Sequence, residues 1–119
     1  KEDIDLGAHL GRGLAYNAHY AEGDTIQMDG ISFRILHTPG HTPGSVSILT
    51  KGVIFTGDTL FAGSCGRTDF PGGSWTQILQ SLRRLSMLDE HLQVLSGHGE
   101  PSTIAREKQH NPYVKEAQQ

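Results

Sequence analysis

From Thr25 the chain alternates apolar and polar positions: Ile26-Gln27-Met28, a break at Asp29-Gly30, then Ile31-Ser32-Phe33-Arg34-Ile35-Leu36. Alternation puts every second side chain on one face of a strand, and Asp-Gly accepts the positive φ of a two-residue turn, so the segment predicts a β-hairpin. Val46-Ser47-Ile48-Leu49, Lys51-Gly52 and Val53-Ile54-Phe55 predict a second hairpin, whose last strand ends at Thr56 and delivers Asp58 to its C-terminal edge. Past Ser74 the period becomes helical: Ile78, Leu79, Leu82 and Leu85 form one apolar stripe, with Ser74 as N-cap and Gln77 as its capping-box partner. The stripe suits packing on a sheet, and Arg83 and Arg84 fall off it onto a solvated face. Leu92-Gln93-Val94-Leu95 predicts a short strand that places His98 in the next turn, and a last short helix is expected from near Ser102, stopping before Asn111-Pro112. Residues 1–24, broken by Gly7, Gly11 and Gly13, predict no regular element, and residues 57–73 predict a long glycine-rich loop of the kind that is usually functional or disordered.

Composition narrows the class. A chain of 119 residues, 35% hydrophobic and 19% charged, suits one soluble globular domain with a small core. Its fifteen glycines are nearly double the usual share of about 7%, and they punctuate turns rather than pool in a linker. A net charge of −3 with no block of like charges gives no electrostatic case for nucleic acid or an anionic membrane, so neither partner is expected. The apolar runs are far short of the roughly 20 residues a membrane helix needs, and Lys1-Glu2-Asp3-Ile4-Asp5 is unlike a signal peptide. Cys65 stands alone, which excludes an internal disulfide, and the expected compartment is the cytoplasm. It reads as a small loop-filling residue rather than a catalytic thiol.

Three loops carry the candidate chemistry. His41 sits in Thr38-Pro39-Gly40-His41-Thr42-Pro43-Gly44-Ser45, Asp58 in Thr56-Gly57-Asp58, and His98 in Ser96-Gly97-His98-Gly99. Each follows an apolar run and is bounded by glycine, so each side chain stands at a strand end where a fold can gather ligands. Imidazole and carboxylate are what divalent zinc, iron and manganese accept, and the three together point to a metal. His37, at a strand end, suits a hydrogen bond to a backbone carbonyl better than direct ligation. His9, His19, His91 and His110 lie in polar contexts and are assigned no role. Arg67 has two uses open to it: a bidentate grip on a substrate carboxylate, or the favoured structural pair with Asp69.

These motifs, with Phe55-Thr56-Gly57-Asp58-Thr59-Leu60-Phe61 and Gly97-His98-Gly99, resemble the three C-terminal metal motifs of the metallo-β-lactamase-fold hydrolases. The loop Gly66-Arg67-Thr68-Asp69-Phe70-Pro71-Gly72-Gly73-Ser74 and the tail from Ser102 to Tyr113 resemble, more narrowly, the small bacterial glyoxalase II-like group. The resemblance implies an α/β sandwich of four αββα layers made of two similar halves. It also implies two divalent metal ions, zinc first with iron or manganese as alternatives. His41 would bind the first, Asp58 would bridge both as the catalytic carboxylate, and His98 would bind the second. The implied reaction is hydrolysis of an acyl thioester such as S-lactoylglutathione by a metal-activated hydroxide.

The family's first motif, His-x-His-x-Asp-His, has no counterpart in this sequence. Two protein ligands per ion fall below the three a catalytic zinc keeps. Residues 1–119 therefore read as a partial domain, the C-terminal half of a longer enzyme. Alone it is expected to be inactive, to bind metal weakly or not at all, and to cover a bare apolar sheet face by self-association. Two alternatives stand beside this reading. One is an iron-dependent persulfide dioxygenase of the same fold, which shares the Gly-Arg-Thr-Asp-Phe loop; the other is a non-catalytic binding module without the first motif.

Overall fold

The computed structural model describes residues 2–5 and 17–119. Strands β1 (Glu2–Asp5) and β2 (Asn17–Tyr20) pair antiparallel, from Glu2 opposite Tyr20 to Asp5 opposite Asn17. This corrects the expectation that residues 1–24 carry no regular element. Such four-residue strands hold too few apolar positions to show a period, and the register is set by a partner distant in sequence. Gly7, Gly11 and Gly13 lie outside the described residues.

The chain continues with β3 (Thr25–Met28), β4 (Ile31–His37), β5 (Val46–Thr50) and β6 (Val53–Gly57). Then come β7 (Leu60–Phe61), β8 (Ser64–Cys65), helix α1 (Trp75–Ser86), β9 (Gln93–Ser96), β10 (Ser102–Thr103) and helices α2 (Ile104–His110) and α3 (Pro112–Ala117). Both predicted hairpins form. Asp29 and Gly30 take φ of 52° and 77°, both residues left-handed as a tight two-residue turn requires, and Gly52 takes 76°. One six-stranded sheet results, in the order β10-β9-β6-β5-β4-β3.

Strand direction positions the site. β4 runs antiparallel to β5, β5 antiparallel to β6, and β6 parallel to β9. So β4, β6 and β9 point the same way and end at the same edge. The loops that follow them carry His41, Asp58 and His98. Sheets with parallel neighbours place ligand sites at the carboxyl ends of those strands.

Helix α1 starts at Ser74 as expected, its hydroxyl accepting the Gln77 amide at 3.2 Å, but the expected capping box is only half formed, because the Ser74 amide donates to the Gly40 carbonyl and not to the Gln77 side chain. Ile78, Leu82 and Leu85 are fully buried and pack with Leu36, Ile54 and Val94 of the sheet and with Ile104 and Val114 of the two short helices. Burying each such side chain contributes about 1.5–3 kcal/mol. On the other face Ile35, Val46 and Ile48 are buried, flanked by half-buried Ile26, Phe33 and Phe55. That face is therefore not bare at its centre, although Ile31 at its rim is 49% exposed.

Three further expectations are corrected. Residues 57–73 are not an unbroken loop, because Leu60 pairs with Cys65 and Phe61 with Ser64 around a left-handed Gly63. The tail is two helices rather than one: Asn111 ends α2 and its side chain accepts from the Tyr113 and Val114 amides to start α3. Arg84 is not on a free solvated face. It grips Glu22 with both guanidinium nitrogens, at 2.6 and 2.7 Å, and donates to the His37 carbonyl at 3.1 Å.

Candidate metal centre

Each of the three loops is held by backbone before any ligand chemistry enters. The β4 loop is tied by the Thr38 amide to the Ser45 carbonyl at 2.9 Å and by the Ser74 amide, at the head of α1, to the Gly40 carbonyl at 2.8 Å. Gly40 has φ of 139°, and a side chain there would collide with the Ile78 backbone, so glycine lets the loop lie flat on the helix. Asp58 sits in a turn closed by the Thr59 amide and the Thr56 carbonyl at 2.9 Å. The turn carrying His98 is fastened to the end of β6 by the Gly97 amide and the Gly57 carbonyl at 2.7 Å.

The three side chains meet. Asp58 Oδ2 lies 3.8 Å from His41 Nε2, and Asp58 Oδ1 lies 3.1 Å from His98 Nδ1. One carboxylate thus faces a different imidazole with each oxygen. His41 is oriented from behind, since its Nδ1–H donates to the Arg67 carbonyl at 2.8 Å. That bond turns Nε2 toward Asp58, the backbone-carbonyl orientation common for metal-ligating histidines. Gly66 allows the approach: a Cβ there would overlap the Asp58 carbonyl oxygen and stand 3.1 Å from the His41 Cβ. The His41 side chain is only 20% exposed while that of His98 is 81% exposed, so the site opens to solvent on the His98 side. Phe70 meets the His41 ring edge-on and Phe61 meets the His98 ring likewise, each at 6.1 Å.

In kind, the donors fit a divalent ion. In number they supply two a side, and among the described residues no three His, Cys, Asp or Glu side chains form a cluster able to hold an ion.

His37 takes the role expected of it, its Nε2–H donating to the Pro43 carbonyl at 2.7 Å across the His41 loop. Arg67 forms the fork with Asp69, two bonds of 2.8 Å, and lies 4.2 Å over the Phe70 ring. The Arg67 hydrogen bonds hold the Asp69 carboxyl down at about 2. Cys65 is half-buried, and burial first, then the charge of Glu116, raises its thiol pKa. Such a thiol is a poor nucleophile. A cavity of about 1050 Å³ lies at the other ends of the strands, beside Asp29, Ile31, Lys51 and Phe55, and none of the three motif side chains lines it.

Sequence reasoning missed a layer of buried hydroxyls beneath the loops. Thr38 Oγ1 meets Ser47 Oγ at 2.9 Å, and Thr59 Oγ1 donates to the Thr38 carbonyl at 3.2 Å, so the Asp58 turn is bonded to the base of the His41 loop. It also missed Glu107 and Asn111, both buried, which reach the β7–β8 hairpin. A hydroxyl in a strand and a glutamate in a polar helix give no sign of burial in the sequence itself.

Comparison with known proteins settles the lineage. The Metallo-beta-lactamase superfamily matches residues 14–98, most of the chain. The chain belongs to that superfamily. It is 45% identical over 96 residues to the hydroxyacylglutathione hydrolase GloC of Haemophilus influenzae, a match covering 78% of this chain and 45% of the relative. ETHE1 from Myxococcus xanthus superposes with a TM-score of 0.79 at 38% identity, covering 86% of this chain and 49% of that one. TTHA1623, solved in a di-iron-bound form, superposes with a TM-score of 0.74 at 37% identity, covering 92% and 57%. The chain spans about half the length of the relatives it matches. The sheet-and-helix architecture is that of the metallo-β-lactamase fold, and the family implies a divalent metal. Among the described residues no helix is long and apolar enough to cross a membrane.

Proposed function

We propose that this chain is the part of a glyoxalase II-like hydrolase in which His41, Asp58 and His98 would hold two divalent ions, with Asp58 serving both. The observation that carries the reading is the Asp58 carboxylate with one imidazole at each oxygen, at 3.8 and 3.1 Å. When bound, the ions supply Lewis acidity at an acyl carbonyl and bring the pKa of a water toward about 7. The chain's own residues supply orientation. The Arg67 carbonyl orients the plane of His41, the Thr59 hydroxyl bonded to the Thr38 carbonyl couples the first two loops, and the Gly97 amide sets the third against the end of β6.

The substrate we assign is an acyl thioester of the S-lactoylglutathione type. Likeness to the GloC hydroxyacylglutathione hydrolase supports it. The Arg67–Asp69 fork supports a loop-holding role for Arg67, which would have to release Asp69 before gripping a substrate carboxylate. A complete metal shell needs donors beyond the described residues. We expect them from the portion that relatives carry beyond this chain, and we expect the 119-residue chain alone to be inactive.

The test is turnover by the full-length protein. Thioester hydrolysis of S-lactoylglutathione, monitored by loss of thioester absorbance and abolished by chelator, is the expected result. Oxygen consumption with glutathione persulfide and no thioester turnover would transfer the assignment to an iron-dependent dioxygenase.

A further inference from the structure

A buried polar pair lies behind the candidate metal centre and touches none of its three side chains. Glu107 on α2 is 2% exposed and Asn111 at its end is fully buried. Glu107 Oε1 accepts the Gly63 amide at 2.8 Å and the Asn111 amide nitrogen at 2.9 Å, while Oε2 accepts the Ser102 hydroxyl. Asn111 Nδ2 also donates to the carbonyls of Ser64 at 2.9 Å and Phe61 at 3.3 Å, and its Oδ1 caps α3. Polar groups this deep persist only when they are bonded, and here every bond from the pair to the β7–β8 hairpin goes to backbone.

The hairpin is short. Its ladder is two residue pairs, Leu60 with Cys65 and Phe61 with Ser64, and a two-stranded ribbon of that size does not hold its own shape. Yet its two ends carry residues that shape the centre. Phe61 lies against the His98 ring, and Cys65 leads into Gly66, which abuts the Asp58 carbonyl and His41. The hairpin is also tied by the Thr56 hydroxyl to the Leu60 carbonyl at 2.8 Å, by the Gly66 amide to the Thr59 carbonyl at 3.1 Å, and by Leu60, which is buried in the main core with Cys65 packed against it; none of these reaches the Gly63 turn.

We propose that Glu107 and Asn111 are positioning residues, a clamp from the C-terminal helices that fixes the 60–66 hairpin and through it the relative placement of His98, Asp58 and His41. This rests on the metal-centre reading above. The clamp works by geometry and not by charge, since the bonds it must supply are one acceptor for the Gly63 amide and one donor for two carbonyls.

The full-length protein tests this with three variants. Glu107→Ala removes the acceptor. Asn111→Asp keeps the α3 cap and removes the donor. Glu107→Gln keeps an acceptor at Oε1 and leaves Ser102 to accept instead of donate. Each is loaded with cobalt(II), and affinity is read by chelator competition, coordination by the visible d–d bands, and hairpin order by amide exchange over residues 60–66. Glu107→Ala and Asn111→Asp should lose about tenfold in cobalt affinity, the lower end for outer residues of metal sites, with altered bands and faster exchange at Gly63. Glu107→Gln should match the parent in all three. Unchanged affinity and bands in the first two variants, despite faster hairpin exchange, would overturn the proposal. So would a tenfold loss in Glu107→Gln, and that arm decides the matter if the first two variants fail to fold. A parent protein that binds no cobalt would count against the metal reading instead. The clamp would then be judged by whether Glu107→Ala shifts the His98 and His41 ring resonances, and unshifted rings would overturn it.

Discussion

His37 donates from Nε2 to the carbonyl of Pro43, 2.7 Å away, and so bridges the mouth of the loop that carries His41. Its backbone amide donates to Glu22 Oε1 at 2.8 Å, and its carbonyl accepts from Arg84. A histidine four residues from a candidate ligand is thereby committed to shaping the loop.

Replacing His37 should therefore loosen the loop without emptying the site. His37→Ala is expected to lower stability by about 1 kcal/mol, the usual worth of one such bond, with bound metal in the full-length protein unchanged by elemental analysis. Loss of an equivalent of metal would make His37 a ligand and contradict the assignment.

Gly66→Ala should be costly out of proportion to one methyl group. The added carbon would overlap the Asp58 carbonyl oxygen, which is backbone and cannot rotate away. Overpacking of this kind costs about 1–3 kcal/mol, read by urea denaturation. Because the contact is with Asp58 and His41, metal affinity should fall as well, and a variant of parental stability and affinity would show that the loops are not in contact.

The Glu22 carboxyl is held down at about 2 from its ordinary 4.5, first by the Arg84 hydrogen bonds and also by the His37 amide and neighbouring arginine charge, against the opposing effect of burial. Its folded pKa lies below its unfolded one, so the stabilisation is present above about pH 4.5 and is lost as pH falls toward 2. The side chains are 41% and 45% exposed, and solvent screening limits the pair to about 0.5–1 kcal/mol. Glu22→Gln should be less stable than the parent near neutral pH and equal to it near the acid limit, by urea denaturation across that range. A difference that persists in acid would locate the effect in packing.

The sheet was legible because its signals are local. Asp29-Gly30 demanded a tight turn, Ser74 with Gln77 marked a helix start, and Ile78, Leu82 and Leu85 marked its buried face. The placement of His41, Asp58 and His98 at strand ends was likewise written in three glycine-bounded loops. What stayed hidden depends on partners far along the chain. Arg84 reads as solvated because Glu22 is 62 residues away, and the burial of Glu107 leaves no local sign because Gly63 is 44 residues away. The β7–β8 ladder escaped because two-residue strands have no period to detect.

The central claim is that one carboxylate serves two metal-facing imidazoles, and elemental analysis of bound metal in full-length Asp58→Ala tests it most directly. The structure puts Asp58 within 3.8 Å of His41 and 3.1 Å of His98, so its removal strips a donor from both sides at once, where loss of either histidine strips only one. The expected result is a fall in total bound metal larger than that caused by His41→Ala or His98→Ala, with a parental far-UV circular dichroism spectrum. Retention of the parental metal content by Asp58→Ala would contradict the account.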